Sequence, residues 1–388
     1  MPVPRFERSG QLARILEEAG RILSNGYVEW PPRGNREVVE EALRMLGCRI
    51  PDRAGAFPLE ELGFFSGISP SPLRVFESTE ELLYRNWPTP LVKLRSLSGE
   101  GVSAWAKLEF YNPFSMSVKD RIGWSMVTEY LARNPGANVV LYEATSTNTG
   151  MALAAMAAVK NLKVKLYLPA TIQKASDILL TVMGAEVYRK PKALTVEFIE
   201  EVDEEARKAG GAHLNQFEND ANFRVHLQYT AKELDLQARS VPLDLKGIVG
   251  GLGTSGHMSA IALYFKSRYS GRVRIYGVQP APGTAIPGIR RIETGMKWVH
   301  YVDFDTVVDV SPDEAVEHAI RVARSEGLLI GLSSGAVTAA FEKLRREKLL
   351  EKGDYVLVYP DHGFKYVEQF AEYLSRKTVI GEQQQYRT

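Results

Sequence analysis

The stretch GIVGGLGTSGH (247–257) joins a short apolar run to a Gly-rich turn, and a helical pattern follows over residues 255–268. A strand, a tight turn and a helix in this order form half of a βαβ unit, the building block of parallel sheets. The backbone N–H groups of such a turn, with the N-terminus of the next helix, form a cradle for a phosphate group. The stretch therefore predicts an α/β fold with a phosphate site at one edge of its sheet.

Two common nucleotide sites fit this turn poorly. Gly251, Gly253 and Gly256 match the pattern G-x-G-x-x-G, but a dinucleotide site also needs an acidic residue at the end of the next strand. The next strand-like run, VRIYGVQP (273–280), ends in glutamine and proline, and the chain contains no GxxxxGK(S/T). We therefore expect a phosphate-bearing ligand other than a nicotinamide dinucleotide or ATP. A tight turn that binds no ligand stays open as the alternative.

Strand-like and helical patterns alternate from about residue 86 to the end of the chain, which predicts a parallel sheet covered by helices. The predicted strands are 102–110, 138–144, 164–169, 247–251, 273–279 and 354–360. The predicted helices are 118–134, 149–160, 173–183, 194–209, 220–238, 255–268, 312–326 and 335–347. Residues 1–85 carry a mostly helical pattern without catalytic groups, and they predict an extension that serves packing or dimer contacts.

Composition excludes several classes of function. The 388 residues carry 48 Lys and Arg against 47 Asp and Glu, so no global field attracts nucleic acid. One cysteine, Cys48, excludes an intrachain disulfide framework, and the six histidines show no metal-ligand spacing. The chain begins without an apolar signal segment, and no uncharged apolar run reaches the roughly 18 residues of a membrane span. We expect a cytoplasmic protein without a metal, nucleic-acid or membrane partner.

The stretch KLEFYNPFSMSVKDR (107–121) places a lysine where a structural lysine is unusual. A strand ends near Phe110, a turn follows, and a helix begins near Val118, so Lys119 lies in the first helical turn. The helix dipole disfavours a cation there and favours the neutral amine, which is the nucleophilic form. A solvated lysine beside Asp120 stays open as the alternative.

The stretch EATSTNTGMALA (143–154) collects hydroxyl and amide groups at another strand-to-helix turn. Residues 145–149 read Thr-Ser-Thr-Asn-Thr, and the helix N-terminus adds backbone N–H groups. Such a set suits a carboxylate. Helix capping explains one or two of these residues but less easily all five.

Three further stretches place polar groups at predicted turns. IGLSSGAV (330–337) repeats the order of strand, small-residue turn and helix. HLNQFEND (213–220) sets polar residues after a strand, and PGIRRIETG (287–295) sets two arginines after a Pro-Gly turn. Helix capping and ordinary surface arginines are the plain explanations of such groups when each stretch is taken alone.

Together these stretches resemble the fold-type II pyridoxal-phosphate enzymes, which include cysteine synthases, cystathionine β-synthases, threonine dehydratases and the β subunit of tryptophan synthase. They occur in the family's order, and PTPLVKL (88–94) is similar to its opening segment. The resemblance covers about residues 86–388. It implies a two-domain fold of the tryptophan synthase β type, with parallel-rich sheets flanked by helices: a small mobile domain at 112–221 and a large phosphate-binding domain at 86–111 and 222–388.

The resemblance also implies roles for single residues. Lys119 would form a Schiff base with pyridoxal 5′-phosphate, Asn148 would contact the 3′ oxygen of the cofactor, and Ser333 would meet its pyridine nitrogen. The residues implied to hold the cofactor phosphate are Gly253, Thr254, Ser255, Gly256 and His257. The residues implied to bind the substrate carboxylate are Thr145, Ser146, Thr149 and Gln216. This chain departs from cysteine synthases at Thr147, where they usually have Gly, and at His257, where they usually have Thr.

This chain resembles one branch of the family more than the others. NQFENDANF (215–223), PDHGFKY (360–366) and the N-terminal extension resemble the archaeal cysteine synthases that use O-phosphoserine. In those enzymes an arginine of the GIRR segment holds the substrate phosphate, and Arg290 aligns with it. A guanidinium fork suits a phosphate dianion, and acetylserine carries no such charge.

The resemblance implies a β-replacement reaction in which O-phospho-L-serine and sulfide give L-cysteine and phosphate, catalysed by a homodimer. O-acetyl-L-serine stays open as a second substrate. Cystathionine β-synthase and serine/threonine dehydratase activities stay open as alternatives, since the same residues would serve them. A non-catalytic sensor of phosphate ligands on the same fold is the alternative from another class, and the lysine at position 119 argues against it.

Overall fold

The computed structural model describes residues 10–68 and 73–385, and its strands form three sheets. The twelve strands are β1 (Tyr27–Trp30), β2 (Gly55–Pro58), β3 (Leu91–Gly99), β4 (Val102–Leu108), β5 (Val140–Ala144), β6 (Lys163–Pro169), β7 (Glu186–Lys190), β8 (Ala212–His213), β9 (Leu245–Gly251), β10 (Arg274–Pro280), β11 (Thr306–Val310) and β12 (Gly353–Tyr359). Residues 1–9, from which the absence of a secretory signal was predicted, lie outside the described residues.

Helices cover the sheets and connect most of the strands. They are α1 (Gln11–Asn25), α2 (Arg36–Met45), α3 (Thr79–Arg85), α4 (Lys119–Arg133), α5 (Thr147–Val159), α6 (Ala175–Val182), α7 (Ile199–Lys208), α8 (Asp220–Val225), α9 (Lys232–Ser240), α10 (Gly256–Arg268), α11 (Pro312–Glu326), α12 (Leu332–Arg346) and α13 (Val367–Gln385). None of the helices in the described part of the chain is both long and apolar enough to cross a membrane.

The larger sheet has six strands in the order β11-β10-β9-β12-β4-β3. All of its pairs are parallel except β3 with β4, which is antiparallel. The last five residues of both β9 and β12 are buried, because helices cover this sheet on both faces. This explains why these two strands read as nearly continuous apolar runs in the sequence.

The smaller sheet has four parallel strands in the order β7-β6-β5-β8. Leu141 of β5 and Leu166 of β6 are fully buried, and they share one core with Leu153 of α5 and Ile122 of α4. The helix that begins at Lys119 is thus anchored on this sheet. The division into a small domain at 112–221 and a large domain at 86–111 and 222–388 stays a prediction, as does the mobility of the small domain.

The N-terminal extension contains a strand ribbon besides its predicted helices. The strands β1 and β2 pair in antiparallel register, with Val28 opposite Phe57. The ribbon was missed because four residues, buried only at every second position, are too short a pattern to recognise. The extension packs on α10, where the side chain of Ser24 donates a hydrogen bond of 2.9 Å to the backbone oxygen of Ser267.

The longest predicted helix, 220–238, is interrupted in the structure. The pattern at 220–238 forms α8, a π-helical turn over His226–Ala231 and then α9. A π turn inserts an extra residue into the helix, and such turns often occur at functional sites. Here the turn carries His226 into the interior beside the Gly-rich loop.

Candidate active site

Loops from both sheets meet at one place: Asp361, after β12, contacts Asn148, after β5, and forms an isolated bridge with Ser117, after β4. The loops that follow β4, β9 and β12 leave the larger sheet at the carboxyl ends of neighbouring parallel strands, and the loop that follows β5 arrives from the smaller sheet. Ligands of open α/β sheets bind at this kind of edge. The predicted site residues lie on these loops, on the first turns of the helices that follow, or beside them.

Lys119 is the first residue of α4, and its side chain is partly buried. Its amine makes no hydrogen bond or ion pair with any residue that the structure describes, and Asp120 instead accepts the backbone N–H groups of Phe114 and Ser115. The structure therefore does not pair Lys119 with Asp120. Burial lowers the pKa of the Lys119 amine to about 8, although the charges of Asp361 and Glu109 act against this shift. The amine is uncharged in a useful fraction near neutral pH.

A buried ion cluster, formed by Arg121, Glu109, Glu233 and Lys107, fixes the start of α4. The guanidinium of Arg121 contacts Glu109 through Nε at 2.6 Å and Glu233 through Nη1 at 2.7 Å. Lys107 completes the cluster at 3.1 Å from Glu233. All four side chains are fully buried, and the two cations balance the two carboxylates. Because Arg121 is two residues from Lys119, the cluster holds the first turn of the helix in place.

The Gly-rich loop between β9 and α10 has no room for side chains at two of its glycines. A Cβ atom on Gly253 would lie 2.6 Å from the backbone oxygen of Gly288, and one on Gly256 would collide with Asn222 Oδ1. Asn222 also donates a hydrogen bond of 2.9 Å to Thr254 Oγ1. Ser255 has φ 72°, a left-handed conformation that turns the chain sharply into α10. The five residues predicted to hold the phosphate thus form one tight loop.

His257 occupies the end of this loop, and it is buried against a second histidine. The rings of His257 and His226 are 5.7 Å apart in an edge-to-face arrangement, and His226 Nδ1 lies 2.9 Å from Thr230 Oγ1. Burial lowers the pKa of His257 to about 3, and the nearby Lys119 charge adds to this shift. Both imidazoles are therefore neutral in the protein alone, and His257 Nε2 has no hydrogen-bond partner among the described residues.

Several buried polar atoms at or beside the predicted site residues lack a hydrogen-bond partner among the described residues. The buried atoms without a hydrogen-bond partner in the described part of the chain include Asn148 Oδ1, Ser255 Oγ, His257 Nε2 and Ser334 Oγ. Buried polar atoms are nearly always hydrogen-bonded in folded proteins, since an unpaired one costs about 1–3 kcal/mol. Phosphate oxygens would accept a hydrogen bond from a hydroxyl such as that of Ser255, whereas Asn148 Oδ1 needs a donor from another part of the ligand, so the residues fit a polar, phosphate-bearing cofactor.

Asn148 and Ser333 come from different helices and meet a common carboxylate, that of Asp361. Asn148 Nδ2 donates to Asp361 Oδ2 at 2.8 Å, and Ser333 Oγ lies 3.5 Å from Asp361 Oδ1. Ser333 does not cap α12: the N-cap residue is Gly331, and Ser333 lies inside the first turn. Asp361 was not predicted as a site residue, although it lies directly after a predicted strand and within the stretch PDHGFKY (360–366).

The Ser/Thr-rich turn and Gln216 are brought together as one polar group. Thr149 Oγ1 donates to Gln216 Oε1 at 2.7 Å, and Gln216 Nε2 lies 3.5 Å from Thr145 Oγ1. Ser146 precedes α5 without making a capping hydrogen bond, so its hydroxyl is not used in holding the helix. Thr147, the departure from the cysteine synthase pattern, is held outside this group by a 2.6 Å contact with Ser176 Oγ on α6.

Arg290 and Arg291 have opposite surroundings, although they are adjacent. Arg291 forms ion pairs with Glu293 and Asp309. Arg290 forms no ion pair with any carboxylate of the described residues; its Nε donates to the backbone oxygen of Gly253 at 2.9 Å. Burial lowers the pKa of Arg290 to about 10, a value at which the guanidinium still carries its charge at neutral pH. A partly buried cation that forms no ion pair with the described residues thus contacts the Gly-rich loop, although the charge of Glu218 acts on it.

Comparison with known proteins agrees with this picture. The family described as pyridoxal-phosphate dependent enzyme matches residues 82–361. Cysteine synthase B of Pseudomonas aeruginosa is 37% identical over 286 residues, which cover 72% of this chain and 93% of that protein. The cysteine synthase of Aquifex aeolicus is 33% identical over 293 residues, with coverage of 72% and 88%.

Solved structures agree as well. O-ureido-L-serine synthase, solved with O-ureido-L-serine bound to a mutant in which alanine replaces a lysine, superposes with a TM-score of 0.69 at 26% identity, covering 76% of this chain and 93% of that one. A hydrogen sulfide-producing enzyme from Fusobacterium nucleatum superposes with a TM-score of 0.68 at 28% identity, with coverage of 75% and 100%. These neighbours confirm the predicted fold, and most of the extension lies outside the matched family region.

Proposed function

Because this chain belongs to the family of pyridoxal-phosphate dependent enzymes and is a cysteine synthase-like member of it, we propose that its amino-acid substrate is O-phospho-L-serine. In the proposed reaction sulfide replaces the phosphate group at Cβ, and L-cysteine and phosphate are released. The observation that carries the choice of substrate is Arg290, a partly buried guanidinium that lacks a carboxylate partner among the described residues and lies beside the Gly-rich loop.

The geometry around Arg290 supports binding of a dianion. The guanidinium carbon lies 5.0 Å from the ring centre of Phe217, the residue after Gln216, so the cation lies next to the proposed carboxylate site. Nε and Nη1 are engaged by Gly253 and Thr294, whereas Nη2 has no partner among the described residues. A phosphate would form an ion pair with this guanidinium, which has none with the described residues, while an acetyl group would leave it without one.

The residues present fit pyridoxal 5′-phosphate, which relatives of this family use. Lys119 is proposed to hold the cofactor covalently, Asn148 to contact its 3′ oxygen, and residues 253–257 to hold its phosphate. When bound, the cofactor draws electrons away from the substrate Cα, so that a group on Cβ can leave. Ser333 offers a neutral hydroxyl to the pyridine nitrogen, where a carboxylate would instead favour its protonated form.

Lys119 is proposed to move the proton at the substrate Cα. A pKa of about 8 leaves the amine partly neutral near pH 7, so it can accept this proton and later return it. Thr145, Ser146, Thr149 and Gln216 would bind the substrate carboxylate with their hydroxyl and amide groups. Closure of the predicted small domain over the substrate would then exclude water from the site.

A panel of substrates tests this proposal. The purified protein, loaded with pyridoxal 5′-phosphate, is given O-phosphoserine, O-acetylserine or serine, each with sulfide, and cysteine and phosphate are measured. We expect the highest kcat/KM for O-phosphoserine, with one phosphate released for each cysteine formed. A higher kcat/KM for O-acetylserine would overturn the proposed substrate but not the cysteine synthase-like activity. Cystathionine from homocysteine, or ammonia release without sulfide, would identify the two alternative activities.

A further inference from the structure

Asp361 is a fully buried carboxylate that has no ion-pair partner among the residues that the structure describes. It lies two residues beyond the end of β12, and its backbone oxygen accepts the N–H group of Gly331 at 2.9 Å. An isolated β-bridge joins the same residue to Ser117, just before α4. A buried charge lowers the stability of the folded protein unless other groups compensate for it. The groups around Asp361 therefore indicate its role.

Donors from other segments surround the carboxylate. Asn148 Nδ2 donates to Oδ2 at 2.8 Å, and the hydroxyl of Tyr366 also donates to Oδ2. Ser333 Oγ lies 3.5 Å from Oδ1. Asp361 therefore touches both residues proposed to meet the cofactor ring, one at its 3′ oxygen and one at its nitrogen.

An ionised carboxylate accepts hydrogen bonds and cannot donate them, so it fixes the orientation of the Asn148 amide. The NH2 group of Asn148 must face Asp361, which uses one of its two N–H donors. The buried, unpartnered Oδ1 is left for a ligand, while the Tyr366 hydroxyl also interacts with the Asn148 amide. The reverse orientation would place two oxygens against each other, and the amide would offer the ligand a different set of atoms.

The charge of Asp361 also acts on Lys119, since it opposes the effect of burial on the pKa of this amine. The other groups whose charges interact with Lys119 are Glu109, which acts in the same direction, and the two histidines 226 and 257. Asp361 is closely packed, and a Cβ atom on Gly331 would collide with its Oδ1. The carboxylate thus lies between Asn148 and Ser333, and its charge acts on Lys365 and His362 as well as on Lys119.

We propose that Asp361 is a positioning residue for the cofactor: its carboxylate fixes the amide of Asn148 and provides the negative charge that faces the amine of Lys119. The inference rests on the proposed attachment of the cofactor at Lys119, but it does not depend on which substrate the enzyme uses. Borohydride reduction followed by peptide mapping tests the attachment separately. A reduced bond at another lysine would count against the proposed function as well as the role of Asp361.

The first experiment measures the affinity of 4′-deoxypyridoxine 5′-phosphate, which lacks the aldehyde and binds without a bond to Lys119. Tryptophan fluorescence reports binding to the wild type, to Asp361→Asn, to Asn148→Ala and to the double variant. Loss of one hydrogen bond should weaken binding about 2- to 13-fold in each single variant. If Asp361 acts through Asn148, the double variant binds no more weakly than Asn148→Ala. If the losses of affinity in the two single variants multiply in the double variant, Asp361 does not act through Asn148, and the proposed role is wrong.

The second experiment measures the pKa of Lys119 by competitive acylation of the cofactor-free protein. Neutralising Asp361 removes a charge that raises this pKa, so Asp361→Asn should shift the labelling curve of Lys119 to lower pH. The matched control is Asp235→Asn, since Asp235 is equally buried and accepts the hydroxyl of Tyr264 at 2.7 Å. We expect no shift and no loss of affinity in this control.

An unshifted curve in Asp361→Asn, or an equal shift in the control, would contradict the inference. If Asp361→Asn does not fold, Gly331→Ala takes its place, because its Cβ displaces the carboxylate without removing a polar group. It should weaken binding of the same analogue by a similar factor. Wild-type affinity in that variant would also contradict the role of Asp361.

Discussion

A single amine determines the chemistry proposed for this site. Lys119 stands alone at the start of α4, because Asp120, its neighbour in sequence, is used by backbone N–H groups. Burial, rather than a neighbouring cation, is the largest cause of its lowered pKa. The same helix carries Arg121, which is charged and paired with two carboxylates. Within two residues, the helix therefore carries the amine proposed to react and a guanidinium that is part of a buried ion cluster.

Replacing the amine tests its proposed role. We expect Lys119→Ala to lose turnover completely and to lose the visible absorbance of the lysine–cofactor bond, while cofactor can still bind through residues 253–257. Absorbance spectra and cysteine formation measure both effects. Near-normal turnover together with a borohydride-reducible bond at a different lysine would show that another residue carries the cofactor.

The pKa of Lys119 gives a pH dependence with a defined sign. Only the neutral amine attacks the aldehyde of the cofactor, and its fraction increases as the pH rises through about 8. The rate of cofactor attachment to the cofactor-free protein should therefore rise from about pH 7 and level off above about pH 9. Stopped-flow absorbance measures it. An inflection near the ordinary lysine value of about 10.4 would show that burial does not act on this amine.

At the scale of secondary structure, the sequence predicted the elements that have a repeating pattern. The strands β4, β5, β6, β9, β10 and β12 were predicted within two residues at each end, because their apolar runs are continuous. β3, which pairs antiparallel at the sheet edge, alternates only weakly and was missed. The buried ion cluster could not be predicted, since Glu109 and Glu233 are 124 residues apart and meet only after the sheet forms.

The residues of the candidate site divide in the same way, into those that a local sequence pattern reveals and those that only folding brings together. Lys119, Asn148 and residues 253–257 lie at strand-to-helix turns that a sequence pattern reveals. Asp361 follows β12 with no polar cluster around it, and its contacts with Asn148 and Ser333 depend on how separate loops meet. A carboxylate that acts through other side chains leaves no local pattern in one sequence.

The buried ion cluster predicts a large difference between two arginines of α4. Arg121→Met leaves two buried carboxylates without their main partner, and we expect it to lower the free energy of unfolding by about 3–5 kcal/mol. Arg133→Met removes an exposed pair with Glu129 and should cost about 0–1 kcal/mol. Urea unfolding measures both variants. Equal losses would show that the cluster does not hold α4 in place.

At the scale of the whole molecule, the extension is part of the main core. Leu16 and Leu23 of α1 share one apolar cluster with Ile261 and Phe265 of α10, the helix that begins at the Gly-rich loop. Lys232 of α9 is almost fully buried and donates to the backbone oxygens of Leu46 and Phe64. The extension therefore packs against α9 and α10, and α10 begins at the proposed phosphate site.

Because α1 and α10 share this core, we expect a destabilising substitution in α1 to reduce the stability of α10 as well. Leu16→Ala should destabilise the protein by about 2–5 kcal/mol and reduce amide hydrogen-exchange protection in both α1 and α10. Glu17→Ala changes the exposed residue beside it and should leave both helices protected. Loss of protection in α1 alone would show that the extension is an independent unit.

The most direct test of the proposed substrate compares the two neighbouring arginines. The ratio of kcat/KM for O-phosphoserine to that for O-acetylserine is measured in the wild type, in Arg290→Ala and in Arg291→Ala. A charged contact contributes about 1.5–3 kcal/mol, so Arg290→Ala should lower kcat/KM for O-phosphoserine about 10- to 160-fold and that for O-acetylserine much less. Arg291→Ala, which removes ion pairs with Glu293 and Asp309, should leave the ratio unchanged. An equal loss for both substrates in Arg290→Ala would mean that Arg290 is structural, and it would contradict O-phosphoserine as the substrate.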